Sequence, residues 1–244
     1  MRLVTAKRLS SMVTALVLAG ASAVAQTAQE RQWCENETGV TVDQRIDGCS
    51  AVIKAGREKG EKLAEAFNNR GIAYRLKGDH ERAIADYDQA LKLAPSAEGY
   101  FNRGNAHLAK RDYDRAIDDY NQATKLKSDF AAAFDNRCWA RAVLGVLKPA
   151  LADCNQALRL MPKNAATLGS RAFVFLKMSR FDAAVSDYDA ALQINPKGAF
   201  ALYGRGLARL KNDDAAGESD IAAAKTLQAD IAEEYARYGL QEGR

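Results

Sequence analysis

Small and apolar residues recur along this chain at helical spacings of 3 and 4, and the same short pattern returns every 33 or 34 residues. Phe67, Gly71 and Tyr74 mark one stripe, and Ala83, Tyr87 and Ala90 mark a second, so each period holds two amphipathic helices. Lys77-Gly78-Asp79 separates them, with glycine placed to end the first helix and aspartate to cap the next. Pro95, Pro162 and Pro196 follow three of the second helices, where a missing N–H stops further winding.

Three series run in one register. Arg70, Arg103, Arg137, Arg171 and Arg205 lie 33, 34, 34 and 34 residues apart. Asp86, Asp119, Asp153, Asp187 and Asp220 track them, as do Ala90, Ala123, Ala157, Ala191 and Ala224. Arginine and aspartate stand 16 apart in four units and 15 apart in the fifth. The missing residue is expected in the turn near Asn212–Asp214. A period of this length is the mark of a helical repeat array, in which no hairpin buries its apolar face alone.

Phe67, Gly71, Tyr74, Ala83, Tyr87 and Pro95 together resemble the tetratricopeptide repeat family. The resemblance covers about residues 63–225, in units of about 63–96, 97–129, 130–163, 164–197 and 198–225. It implies an all-α, right-handed superhelical solenoid of helix-turn-helix repeats. The chain departs from the family pattern in places. Arginine stands where leucine is usual in all five units, Cys138 and Ala172 occupy the small-residue position, and Ser128 replaces one proline. The last unit lacks the terminal proline and carries Gly217 for alanine.

The paired series predict a ladder of ion pairs between helices: Arg70/Asp86, Arg103/Asp119, Arg137/Asp153, Arg171/Asp187 and Arg205/Asp220. The competing reading is an arginine row that recognises an acidic ligand, but such a row would not need a matched aspartate in every unit. Small residues at Gly71, Gly104, Cys138, Ala172 and Gly206 are expected to face Ala83, Ala116, Ala150, Ala184 and Gly217 where helices cross closely.

Four cysteines allow three pairings. Other units set a small residue against tyrosine (Gly71/Tyr87, Gly104/Tyr120, Ala172/Tyr188), and the third has Cys138 and Cys154 at those two places. A Cys138–Cys154 bridge is therefore expected, which leaves Cys34–Cys49 to tie a capping segment, residues 26–62, to the array. Ile46–Ile53 reads as a lone second helix within it. At the far end, residues 226–244 read as a capping helix and tail. Asp230 and Glu233 there suggest a capping box, and Leu227, Ile231 and Tyr235 a stripe covering the last open face.

Composition adds an address. Arg2, Lys7 and Arg8 precede an uncharged run, and Ala23-Val24-Ala25 offers small residues for cleavage before Gln26, so 1–25 reads as a signal peptide. A retained anchor is the alternative, weakened by Ser10, Ser11, Thr14 and Ser22. Export, with the periplasm as the expected destination, permits disulfides. The formal charge of +4 falls to +1 once those three cations are set aside, so nucleic acid and anionic membranes are not expected partners.

By the resemblance, the first helices line a concave face that presents Asn68, Ile72, Phe101, Asn105, Asp135, Trp139, Gly169, Phe173, Tyr203 and Leu207. Trp139, Phe173, Phe200 and Tyr203 are expected to gather toward its C-terminal end. Phe101, Asn105, Trp139, Phe173, Tyr203 and Leu207 are the candidate partner-binding residues. Aromatics in a trough suit a peptide or a partner helix, although any one of them has packing between units as its alternative.

Motifs for chemistry are thin. His80 falls in a turn and His107 at a core tyrosine position, and Gly204 and Gly206 sit in a helical stripe rather than a phosphate loop. Asp118-Asp119 and Asp213-Asp214 read as surface acids, and Asn36-Glu37-Thr38 is a weak glycosylation acceptor. The sequence implies a non-catalytic protein- or peptide-binding scaffold without cofactor or metal. The alternatives are a self-associating module, or a small-ligand or carbohydrate binder with a deep polar pocket.

Overall fold

The computed structural model describes residues 28–35 and 39–242. The signal segment and Asn36-Glu37-Thr38 lie outside the described residues. Among those described, every regular element is a helix. Helix α1 spans 28–34, and the chain continues through α2 (Val42–Ala55), α3 (Gly60–Leu76), α4 (His80–Leu93), α5 (Ala97–Ala109) and α6 (Tyr113–Leu126). Then follow α7 (Ala131–Val143), α8 (Leu147–Leu160), α9 (Ala165–Lys177), α10 (Phe181–Ile194), α11 (Ala199–Lys211), α12 (Ala216–Leu227) and α13 (Ile231–Arg237). The chain divides between Ala106 and His107, inside α5, into two units.

The turns explain how the hairpins repeat. Gly78, Arg111, Gly145, Ser179 and Asp213, one per hairpin, all take a left-handed backbone with φ between 56° and 79°. Only two are glycine. Arginine, serine and aspartate are held in a conformation that costs non-glycine residues roughly 1 kcal/mol or more, so helix packing sets the turn and overrides local preference. Asp79 accepts the backbone N–H of Arg82 at 3.0 Å and opens α4. His80 is therefore the first residue of that helix rather than part of the turn.

The fifth hairpin loses its residue elsewhere than expected. Its turn is not shortened; instead α12 has 12 residues where α4, α6, α8 and α10 have 14. Ala216 starts the helix four residues before Asp220, whereas His80 starts α4 six before Asp86. The left-handed turn residue is needed to reverse the chain, while the first turn of the second helix can be trimmed.

In the first unit, the Cys34–Cys49 disulfide joins α1 to α2, and α2 packs on α3. Tyr74, Ala83, Tyr87 and Ala106 form a core. A Cβ on Gly71 would come within 2.8 Å of the Tyr87 ring, so that ring needs a bare backbone opposite it.

The second unit stacks α6 to α12 in chain order, around a continuous core from Cys138 to Tyr235. Cys138 and Cys154 form a disulfide between α7 and α8, at the register where Gly71 meets Tyr87. Replacing both cysteines by serine is expected to lower stability by about 3 kcal/mol, the chain-entropy value for a loop of this size. Urea unfolding of the variant against the oxidised wild type measures it.

Candidate functional site

The arginine series builds the scaffold on which the aromatic face stands. Arg70 donates to both carboxylate oxygens of Asp86 at 2.8 Å, and Arg137 to Asp153 at 2.9 and 2.6 Å. Arg171 pairs with Asp187 and Arg205 with Asp220 in the same bidentate way. These hydrogen bonds raise the pKa of Arg70 and Arg205, against the opposing effect of burial. Arg103 and Asp119 lie on opposite sides of the division between the two units.

Each arginine also reaches backward. Its Nη1 donates to Ser50 from Arg70, to Asp88 from Arg103, to Asn121 from Arg137, to Asn155 from Arg171 and to Asp189 from Arg205. Every acceptor stands on the preceding second helix. The last four lie two residues beyond the ladder aspartate of their own unit. In Arg70, Arg137, Arg171 and Arg205 one guanidinium thus closes its own hairpin and fastens it to the preceding second helix, a planar fork that lysine or leucine cannot reproduce. In the sequence this second set of partners is written as Asp-x-Asp/Asn in four units. In the fifth repeat the position is Ala222.

On the first helices of the second unit three aromatics gather, while Tyr203 pairs with Tyr235 instead. Trp139 on α7, Phe173 on α9 and Phe200 on α11 have ring centroids 5.0, 5.4 and 5.8 Å apart. Lys177 closes the far side of Phe173. Its ammonium sits 5.6 Å from that ring and donates to the Ala142 and Val143 carbonyls at the end of α7, where a cation is favoured. Burial pulls its pKa down. One turn before Trp139, burial raises the Asp135 carboxyl, with the hydroxyls of Thr167 and Ser170 acting against the shift.

This face is not open. Phe173, Tyr203 and Leu207, expected to line a free trough, are only 0, 1 and 3% exposed. The C-terminal helix lies across the face: Tyr235 stacks on Phe200 at 4.6 Å and tilts against Tyr203 at 4.8 Å, and Tyr238 meets Trp139 edge-on at 5.2 Å. Both tyrosines also approach Phe173 at 5.9 Å. Leu207 belongs to the same core. Trp139 remains partly exposed. Phe101 and Asn105 are half-buried on α5 in the first unit.

Three details of the C-terminal reading change with this placement. Leu227 ends α12 and is 48% exposed, so the buried stripe is Ile231 and Tyr235, with Tyr238 and Leu240 partly buried against the same core, rather than one starting at Leu227. Asp230 makes no side-chain cap bond; its carboxylate accepts from Gln228, which also donates to Glu234, so the capping box does not form. The segment also covers more than the last hairpin: Tyr235 meets Phe173 on α9, and Tyr238, just after the helix, meets Trp139 on α7. Of the paired acids, Asp118 is exposed and Asp119 is buried.

The first unit holds a hollow of about 310 Å³ between α3 and the α4–α5 connection, floored by Ala64, Ala90 and Pro95 and rimmed by Glu61 and Glu65. No group of three or more potential metal ligands occurs among the described residues.

Tetratricopeptide repeat models match residues 64–96, 97–130 and 171–236, together more than half of the chain. No curated protein sequence matches it. Among solved structures, YrrB, described as a TPR protein with an unusual peptide-binding site, is 21% identical. The match covers 79% of this chain and 99% of that one, with a TM-score of 0.61. A tetratricopeptide repeat protein from Parabacteroides merdae is 16% identical over 80% of this chain and 81% of its own, with a TM-score of 0.66. MamA from Desulfovibrio magneticus is 16% identical over 71% of this chain and 98% of its own, with a TM-score of 0.62. At such identities the likeness is one of fold.

Proposed function

Because the chain belongs to the tetratricopeptide repeat family, we propose that it is a non-catalytic scaffold in the cell envelope that binds a protein or peptide along the first-helix face of α7, α9 and α11. The observation that carries this reading is the gathering of Trp139, Phe173 and Phe200 on one face, with Trp139 and Phe200 still partly exposed. Aromatic anchors in a concavity supply most of the binding energy of such interfaces. Envelope location is supported by the signal-like start and by disulfides that take up all four cysteines. No helix among the described residues is long and apolar enough to cross a membrane.

The test is affinity capture from the native envelope fraction with wild type and Trp139→Ala. The variant is expected to hold its partner about tenfold more weakly, the loss of a single aromatic anchor. Equal retrieval by the two proteins contradicts the reading.

A further inference from the structure

The helix lying on this face has the features of a ligand. A cap for the last hairpin needs to touch only α11 and α12, yet Tyr235 of α13 lies against Phe173 on α9, and Tyr238, the C-cap residue just after α13, lies against Trp139 on α7. It has 7 residues and no side-chain cap bond, too short to be helical by itself, so its conformation depends on the surface beneath. That surface is shaped for it. A Cβ on Gly204 would fall 2.4 Å from the Tyr235 hydroxyl and 2.3 Å from that of Tyr188. The bare backbone there opens a socket in which the Tyr235 hydroxyl donates to the Phe200 carbonyl at 2.8 Å and meets the Tyr188 hydroxyl at 3.2 Å. Glu242 secures the tail beyond, accepting from Tyr203 at 2.7 Å and pairing with Lys225 at 2.9 Å. The outer face of α13, with Glu233 and Arg237, is exposed.

We propose that α13 is an intramolecular stand-in for the partner: the face of α7, α9 and α11 receives an amphipathic helix carrying an aliphatic residue and two tyrosines at the offsets of Ile231, Tyr235 and Tyr238, and a partner binds by displacing α13. Offsets of 4 and 7 are those by which a helix lays one face into a groove. This rests on the reading of that face as the partner site and specifies both the partner's chemistry and its regulation. While α13 is seated, the apparent affinity for a partner is reduced by the fraction of molecules in which the face is free.

The probe is a synthetic peptide of residues 229–242, titrated into the full chain and followed by Trp139 fluorescence in a Trp33→Phe background. Tyr235→Ala, which empties the socket, is expected to bind the peptide at least about tenfold more tightly than the wild type. Tyr238→Ala, which leaves the socket filled, is expected to fall between them. A peptide with both tyrosines changed to alanine is expected not to bind. If Tyr235→Ala loses helical content, Tyr238→Ala against the wild type decides. Equal binding to all three chains, or binding to none while their circular dichroism is unchanged, overturns the proposal. So does a wild-type dimer that forms with concentration and ignores the peptide, because the socket then serves the α13 of a second copy. Should the peptide fail while Trp139→Ala still impairs capture, the stand-in is wrong and the binding face stands; should capture be unimpaired, it is the binding face that fails.

Discussion

Asp153→Ala is expected to destabilise the second unit by about 3–5 kcal/mol, the usual result of removing one member of a buried ion pair. Asp153 is 4% exposed and accepts from Arg137 twice and from Arg141 at 2.5 Å. Its loss leaves two guanidinium groups whose side chains are only 12 and 21% exposed. Arg137 keeps Asn121 and Thr124 as acceptors through Nη1, which places the effect toward the lower end. Asp43→Ala, at the exposed Lys77–Asp43 pair, is the control and is expected to cost no more than about 1 kcal/mol. Urea unfolding of the two variants decides: equal small losses would mean that the ladder is ornamental.

Phe173→Ala is expected to cost about 3–5 kcal/mol as well, but through a cavity. The ring is fully buried; its neighbours are Trp139 on α7 at 5.0 Å, Phe200 on α11 at 5.8 Å, Tyr235 and Tyr238 of the C-terminal segment at 5.9 Å, and the Lys177 ammonium of its own helix at 5.6 Å. Trp139, Phe173 and Phe200 stand on α7, α9 and α11, each tied to its second helix by an arginine pair, so the site cannot easily collapse. Thermal melting measures the effect. A loss below about 1 kcal/mol, the level of a surface change, would show that Phe173 is an accessible contact residue and not the floor of the face.

The hairpins, their order and the facing cysteine positions were legible in the sequence because a repeat states each packing rule five times. Arg and Asp at a constant spacing pointed to contact, and the aromatic residues at first-helix positions pointed to one face. Other features were stated only once, or without their context. Nothing in Ile231, Tyr235 and Tyr238 says how far back along the array their helix reaches, since that depends on the direction the chain takes after Leu227. Asp230 and Glu233 spelled a capping box, but the pattern does not reveal that Gln228 competes for both Asp230 and Glu234. Ser179 and Arg111 carry no mark of a left-handed turn; only their register with Gly78 and Gly145 does. The Asp-x-Asp/Asn partners recur in four of the five periods, but one aspartate per arginine already accounts for the pairing, so the pattern alone does not assign the second acceptor.

Structure determination of the full Tyr235→Ala chain with the 229–242 peptide bound tests most directly whether α7, α9 and α11 form one seat for a helix. The account predicts the peptide's first tyrosine ring stacked on Phe200 beside Gly204, its second against Trp139, and the chain's own α13 released. A peptide bound anywhere else, with α13 still across Phe173, would contradict it.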